Sequence, residues 1–210
     1  QGKKVLLVDL DPQGNSTSGI GVDKEDGKNK IYDVLALDVP LQDSVYESSA
    51  NNVYVIPSNN ELAGLEIELA REGNWETLLR DKLAIIRDDF DFIFIDCPPS
   101  LGILSVLGLI ASDSVIIPIQ CEYYALEGLS QLMNTVNLVQ RHLNPALDVE
   151  GVVLTMFDAR TNLSIQVVED VKKHFRNKVY RTIIPRNVRL SEAPSFGLPI
   201  ILYDPKSKGA

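Results

Sequence analysis

Apolar and polar positions form two kinds of pattern along the chain, and together they predict strands that alternate with helices. Short unbroken apolar runs, closed by an acid, a proline or another polar residue, are typical of strands buried on both faces. Such runs predict strands at Lys3–Asp9, Asn52–Ile56, Phe90–Asp96, Ser114–Ile119, Val149–Met156 and Val179–Ile184. Apolar residues at helical spacing predict helices at Ile31–Leu37, Leu62–Leu69, Leu78–Ile86, Leu101–Ile110, Leu126–Leu143 and Leu163–Phe175.

The remaining segments are predicted to be loops. Residues 10–30 are rich in Gly, Ser, Asn and Asp, which favours a loop with at most a short helix, and residues 186–210 contain three prolines and are predicted to be mostly loop. Strands that alternate with helices are typical of an α/β fold with a mainly parallel sheet flanked by helices on both faces. Because no linker, repeat or low-complexity segment interrupts the pattern, residues 1–210 are predicted to form a single domain.

Composition narrows the function classes. The 210 residues carry a net charge of −9, which argues against a globally basic nucleic-acid binder. No apolar run reaches the ~18 residues of a membrane span, and no basic segment followed by an apolar one indicates a signal peptide. The two cysteines, Cys97 and Cys121, do not make a disulfide framework and are predicted to be buried, inert thiols. These features together favour a cytoplasmic protein.

One stretch departs from the acidic average. Between Lys172 and Arg189 there are seven Lys or Arg side chains and no Asp or Glu. A basic face on an acidic protein indicates a surface for an anionic partner. The alternative is a solvated helix face followed by a basic loop.

Acidic residues follow two of the predicted strands. Asp9 and Asp11 come at the end of the first apolar run, and Asp96 ends the run that begins at Phe90. Because parallel strands end at one edge of a sheet, these carboxylates are expected to converge there, where open α/β sheets place their ligands. Carboxylates without a His or Cys cluster suit Mg²⁺. The alternative is a strand followed by a polar turn, with Asp11 capping the next element.

Four ordered segments give this pattern a specific resemblance. They are VDLDPQGN at residues 8–15, IDCPPS at residues 95–100, QCEYYALEG at residues 120–128 and IPRNVRLSEAPS at residues 184–195. In sequence and order they resemble the ParA/Soj family of chromosome- and plasmid-partition ATPases, closest to its chromosomal Soj branch. The resemblance covers essentially the whole chain and implies the fold of P-loop nucleotide hydrolases.

The resemblance also implies roles for individual residues. Asp11 would position or activate the water that attacks the γ-phosphate of ATP, and Asp9 would support the Mg²⁺ and water shell. Asp96 would hold Mg²⁺ through a water. The adenine pocket would be lined by Met156, Pro185 and Asn187. Non-specific contacts to DNA phosphates would come from Arg160, Arg189, Lys172 and Lys173, although Arg189 could instead pair with Glu192.

The sequence also departs from the family pattern. The family's K-G-G-x-G-K-T phosphate-binding loop precedes the first strand seen here, and no segment of this chain replaces it. The chain is therefore expected to lack that loop with its strand and first helix, and also the family's C-terminal helix. The missing strand is expected between the strands that end at Asp9 and Asp96. It follows that the 210-residue chain alone is expected to have no appreciable ATPase activity.

The function implied is a nucleotide switch. ATP with Mg²⁺ would bind between two protomers of a homodimer, the dimer would bind DNA non-specifically in the nucleoid, and a ParB-type activator would stimulate hydrolysis, with no membrane partner. Two alternatives remain open: a membrane-surface regulator resembling MinD, which would need an amphipathic C-terminal helix, and a catalytically inactive fragment.

Overall fold

The computed structural model describes residues 2–26, 28–123 and 125–210, without the side chains of Glu72 and of residues 125–127. Of the four family segments, only residues 120–128 are affected, since Tyr124 lies outside the described residues. The strands are β1 (Val5–Asp9), β2 (Tyr46–Glu47), β3 (Val53–Ile56), β4 (Phe92–Asp96), β5 (Ser114–Gln120), β6 (Asp148–Phe157) and β7 (Val179–Pro185). The helices are α1 (Asn15–Gly19), α2 (Ile31–Ala36), α3 (Leu62–Glu72), α4 (Leu78–Ala84), α5 (Ile103–Ala111), α6 (Ala125–His142), α7 (Asn162–Phe175), α8 (Val188–Glu192) and α9 (Ile200–Tyr203).

The strands form two sheets. One has the order β2-β3-β1-β4 and the other the order β5-β6-β7, with every pair parallel except β2–β3. Helix α6 connects β5 to β6 and α7 connects β6 to β7, so these parallel neighbours are joined by helical crossovers, as parallel pairing requires. The predicted α/β class is therefore confirmed.

The expected position of an additional central strand is wrong. Strands β1 and β4 pair directly over their whole length, from Val5 opposite Phe92 to Asp9 opposite Asp96, so no strand lies between them. The interruption falls instead between β4 and β5, the facing edges of the two sheets. Sequence patterns could not place it, because the order of strands is decided by contacts between distant segments.

Three apolar clusters hold the helices to the sheets. Alternate residues of β1, including Leu6 and Val8, are fully buried against α2, α3, α4 and α5. Residues of β5 and β6, including Ile117 and Leu154, are buried against α6 and α7. A third cluster joins α5 to α6 through Leu109 and Val136. Since each fully buried aliphatic side chain stabilises a fold by roughly 1.5–3 kcal/mol, these clusters fix the ends of β1, β4, β5 and β6 relative to their helices.

The helices cover β4 and β5 less completely than predicted. Phe92 and Phe94 of β4 expose 53% and 47% of their surface, and Ile116 of β5 exposes 42%. Within the described residues, helices therefore cover one face of these two strands and leave the other partly open. None of the described helices is long and apolar enough to cross a membrane.

The prediction of mostly loop after residue 186 is wrong over three short segments. Helices α8 and α9 and a 3-10 turn at Ala193–Phe196 form there. The Asn187 side chain caps α8 by accepting a hydrogen bond from the Arg189 backbone N–H, Pro194 lies in the first turn of the 3-10 segment, and Pro199 stands at the start of α9. Proline fits helix starts, where its missing N–H costs nothing.

Candidate active site

The carboxyl ends of β1 and β4 lie side by side. Asp9 and Asp96 are paired residues of the parallel ladder, and the Leu10 N–H donates to the Asp96 carbonyl at 2.8 Å. Because neighbouring strands are about 4.8 Å apart, the two acidic residues lie close together at the same edge of the sheet. The structure thus brings together the first two acidic segments that the sequence analysis selected.

Asp9 is completely buried, and donors surround its carboxylate. One oxygen accepts hydrogen bonds from the Thr17 N–H at 2.8 Å and the Thr17 hydroxyl at 2.7 Å, and the other accepts from the Asp11 N–H at 3.1 Å. Desolvation raises the pKa of Asp9 above its usual range, while the three hydrogen bonds oppose that rise. Asp9 therefore faces into the protein rather than toward the open edge.

Asp11 is partly exposed and begins a tight turn. Its Oδ1 accepts a hydrogen bond from the Gln13 N–H at 2.9 Å, and the Gly14 N–H donates to its carbonyl at 2.9 Å. Gly14 has φ +61°, and a Cβ there would lie 2.8 Å from the Ser58 carbonyl oxygen, so only glycine fits. We find no partner for the second carboxylate oxygen of Asp11 within the described residues. That oxygen is free to accept a hydrogen bond from a ligand or a water.

Asp96 is partly exposed and is oriented by Ser16, a residue that the sequence analysis missed. The Ser16 hydroxyl donates a hydrogen bond to one carboxylate oxygen of Asp96. Ser16 and Thr17 are consecutive residues of α1, and they contact Asp96 and Asp9 respectively. The signal that could have found them is the run of hydroxyl side chains that directly follows the acidic turn.

A cavity of about 1410 Å³ opens between the facing edges of β4 and β5. Among the selected residues, Asp96 and Met156 line it, and so does Arg186, which the sequence analysis did not select for this role. Its volume exceeds the ~300–1,000 Å³ of typical small-molecule pockets. The cavity lies at the interruption between the two sheets, and its lining is mostly apolar, including Ile95, Ile117 and Leu132, so its volume reflects that gap rather than a pocket shaped for a ligand. The partly exposed Asp96 carboxylate at one wall suits a hydrated Mg²⁺.

The backbone around Met156 is unusual. Met156 has φ +55°, and the pairing of β6 with β7 changes register between Leu154 and Phe157. A left-handed conformation costs a non-glycine residue about 1–2 kcal/mol, and such strain concentrates at functional sites. Met156 therefore lies in an irregular part of β6 that also lines the cavity.

The other two base-pocket candidates, at the end of β7 and just before α8, are not among the residues that line the cavity. Pro185 ends the strand opposite Phe157, and the Asn187 side-chain oxygen accepts from the Arg189 N–H at 2.8 Å and the Ser207 hydroxyl at 3.2 Å. The Asn187 amide nitrogen has no partner among the described residues. Asn187 thus caps a helix with one end of its amide and leaves the other end available.

The basic candidates do not form one cluster. Arg160 lies in the turn just before α7, whereas Lys172 and Lys173 lie in the last turn of that helix, about 15 Å from its start. Arg189 follows β7 and, like Arg160, belongs to the carboxyl edge of its sheet. The continuous basic run in the sequence is therefore divided between opposite edges.

Three of these cations are paired internally, among them Lys173, whose ammonium group lies 3.2 Å from Asp170. Arg160 is 87% exposed and binds Asp158 through Nε at 2.9 Å and Nη2 at 2.6 Å, which holds the pKa of Asp158 well below its usual range. Arg189 pairs with Glu192 at 2.8 Å and with Asp204 at 3.5 Å, so the internal pair that the sequence left open is present. Exposed pairs of this kind are weak, and a phosphate can replace the carboxylate.

Of the two cysteines, Cys121 is buried as predicted, whereas Cys97 is partly exposed and lines the cavity. Burial and the Asp96 charge raise the pKa of Cys97 to about 12, and burial also raises the pKa of Cys121. The raised pKa values favour the protonated thiols at neutral pH, in agreement with the predicted inert state.

Comparisons with known proteins agree with the fold. An AAA domain family model matches residues 1–149. The chain is 61% identical to the sporulation initiation inhibitor protein Soj of Bacillus subtilis over 100% of this chain and 83% of that protein. It is 52% identical to the chromosome partitioning protein ParA of Myxococcus xanthus over 99% and 73% of the two chains. The crystal structure of cobyrinic acid a,c-diamide synthase from Mycobacterium smegmatis with bound ATP analog and magnesium is 37% identical, with a TM-score of 0.83 over 94% of this chain and 81% of that one. This chain belongs to the ParA/Soj family of chromosome-partitioning ATPases.

Proposed function

We propose that this chain is an ATP-dependent switch that partitions chromosomes or plasmids by binding DNA without sequence specificity. The observation that carries the proposal is the pairing of β1 with β4, which puts Asp9 and Asp96 side by side, with Asp11 in the following turn. Catalysis of phosphoryl transfer is mostly positioning and electrostatics, and this edge supplies both. Residues 1–210 would act as one nucleotide-binding unit.

Each residue of the site has a specific task in this proposal. Asp11 holds the attacking water with its free carboxylate oxygen, and Asp96, oriented by Ser16, holds Mg²⁺ through a water. When bound, Mg²⁺ neutralises charge on the phosphates. Met156, Pro185 and Asn187 line the base pocket. The backbone contacts to the phosphates are not assigned to residues of this sequence, because it contains no Gly-Lys-Thr.

The DNA surface in this proposal is the carboxyl edge of β6 and β7. Arg160 and Arg189 are exposed there, and each exchanges its carboxylate partner for a DNA phosphate. Lys172 and Lys173, at the far end of α7, would contact a second stretch of the backbone. Homodimerisation with ATP brings two such surfaces together, and a ParB-type partner stimulates hydrolysis and release. The protein would then reside on the nucleoid in the cytoplasm.

DNA retention tests this assignment. The full-length protein is measured on DNA of unrelated sequences, with ATP and with ADP, at several salt concentrations. Arg160→Glu and Arg189→Glu are expected to weaken ATP-dependent binding equally on all sequences, because phosphate contacts carry no sequence information. Each loss should make the slope of log affinity against log salt shallower by about 1.

The matched control is Arg80→Glu on α4, an exposed Arg that is paired with a neighbouring acid at 3.4 Å. It makes the same charge change away from the carboxyl edge and is expected to leave binding nearly unchanged. If Arg80→Glu weakens binding as much as Arg160→Glu does, only net charge matters and the DNA surface is wrongly placed.

A further inference from the structure

Asp9 does not have the surroundings of a metal ligand. Its side chain has no solvent-accessible surface, and both carboxylate oxygens already accept hydrogen bonds, one from Asp11 and two from Thr17. Mg²⁺ keeps most of its water shell in proteins and is held by carboxylates that can meet it at an open edge. Asp96, partly exposed at the end of the neighbouring strand and lining the cavity, meets that condition, and Asp9 does not.

Thr17 links Asp9 to a third element. The Thr17 side chain is also fully buried, and its hydroxyl donates to Asp9 while accepting a hydrogen bond from the Ser58 N–H at 3.0 Å. Ser58 lies in the segment that follows β3, the other neighbour of β1 in the sheet. The hydroxyl hydrogen and an oxygen lone pair of Thr17 are therefore both used, and the end of β1, helix α1 and the segment after β3 meet at one buried point.

The two carboxylates of the proposed ATPase site are attached to this point by short connections. The Asp11 N–H binds Asp9 directly, so the turn that presents the Asp11 carboxylate begins at the anchor. Ser16 precedes Thr17 in the same turn of α1, and its hydroxyl orients Asp96. A displacement of Thr17 would therefore move the water-holding group and the metal-holding group together.

We infer that Asp9 is a positioning residue, which sets Asp11 through its amide and Asp96 through the Ser16–Thr17 pair, rather than a ligand of Mg²⁺. This inference rests on the proposed ATPase function of that edge. It replaces the role in the Mg²⁺ shell that the family resemblance implies for Asp9. Reactions that depend on alignment are sensitive to small displacements, so the anchor should affect the rate of hydrolysis more than the binding of nucleotide.

The test uses Thr17→Val, which keeps the shape of the side chain and removes its hydroxyl, and Thr17→Ser, which keeps the hydroxyl. In the full-length protein, Thr17→Val should lower kcat by about tenfold or more, as loss of an outer-shell partner typically does. KM for ATP and the Mg²⁺ concentration at half-maximal rate should change less than about twofold in Thr17→Val. Thr17→Ser should keep a kcat close to that of wild type. Asp9→Asn and the double variant with Thr17→Val should be equally slow, since both break the same anchor.

A second readout does not depend on hydrolysis. Hydrogen exchange without nucleotide should be faster at the Asp11 and Thr17 amides in Thr17→Val, and unchanged in the ladder between β1 and β3. Ser16→Ala, which removes a single contact of a partly exposed side chain, should lower kcat without lowering the melting temperature. Ser16→Ala therefore provides the test if Thr17→Val folds poorly.

Several results would overturn the inference. One is a Mg²⁺ requirement that rises about tenfold or more in Asp9→Asn while Thr17→Val behaves like wild type, which would make Asp9 a metal ligand. Another is a kcat loss in Thr17→Val that merely follows the loss of folded protein, with Ser16→Ala unaffected. If wild type hydrolyses ATP but all these variants equal it, only the positioning role fails. If wild type hydrolyses no ATP, the proposed function fails with it.

Discussion

Replacing Gly108 with Ala tests how closely α5 packs on the strand that ends at Asp96. A Cβ at Gly108 would lie 2.5 Å from the Cys97 Sγ, 3.5 Å from the Ile95 Cγ2 and 3.7 Å from the Leu10 Cδ1. The first distance is far below contact distance, so Cys97 or the helix must move. Because Cys97 directly follows Asp96, the clash acts on the site itself.

Two opposing effects set the magnitude. Overpacking a tight core typically costs 1–3 kcal/mol, while Ala in place of Gly inside a helix gains roughly 0.8–1 kcal/mol. Gly108→Ala alone should therefore lower the free energy of unfolding by about 0–2 kcal/mol. In a Cys97→Ala background the clashing sulfur is gone, and the same change should raise it by about 1 kcal/mol.

The assay is urea unfolding of the four proteins of this double-mutant cycle at one temperature and pH. The expected coupling energy is about 1–3 kcal/mol, and its sign means that Cys97→Ala removes the destabilising effect of Gly108→Ala. Equal effects of Gly108→Ala in both backgrounds would refute the reasoning. So would a stabilisation of about 1 kcal/mol in the background that keeps Cys97, because it would mean that the helix has room for the methyl group.

Three further predictions concern stability and thiol chemistry. Arg160 lowers the pKa of Asp158, so this carboxylate stabilises the fold above its unfolded pKa of about 4 and loses that effect as pH falls through the lower folded value. Urea unfolding should find Asp158→Asn less stable than wild type at pH 7 and equal to it in strong acid. A difference in stability that stays constant with pH would contradict this. The two amide hydrogens of Asn144 are shared among three carbonyl oxygens at the C-terminal end of α5, so Asn144→Ala should lower the free energy of unfolding by about 1–3 kcal/mol in the same assay, and no change would mean that water replaces the amide. Cys97 and Cys121 should react with a thiol-alkylating reagent at pH 7 only after unfolding, and rapid labelling of the native protein would contradict their raised pKa values.

Local patterns predicted the elements because burial on both faces gives strands such as β1 and β4 continuous apolar runs. The same runs do not carry the strand order. The pairing of Val5 with Phe92 joins residues far apart in sequence, and nothing in either run specifies its neighbour. The short strand β2 was missed because two residues are too few to show a period.

The site was predicted unevenly for a similar reason. The acidic turn is a local feature, so Asp11 and Asp96 could be selected directly. Asp9 looked equivalent in sequence, yet it is fully buried whereas Asp11 is partly exposed, and that difference follows from Thr17 folding back onto the strand end. The basic run from Lys172 onward looked continuous because sequence distance conceals that α7 and β7 carry its charges to opposite edges.

The rate of ATP hydrolysis by Asp11→Ala tests the central claim most directly. Asp23→Ala is the matched control, because Asp23 Oδ1 accepts a hydrogen bond from the N–H two residues later at 2.9 Å, as Asp11 does in its own turn. With both variants in the full-length protein, Asp11→Ala should lose about 100-fold or more in kcat at similar nucleotide affinity, and Asp23→Ala should equal wild type. Hydrolysis by Asp11→Ala at the rate of wild type would contradict the assignment of this edge as the ATPase site.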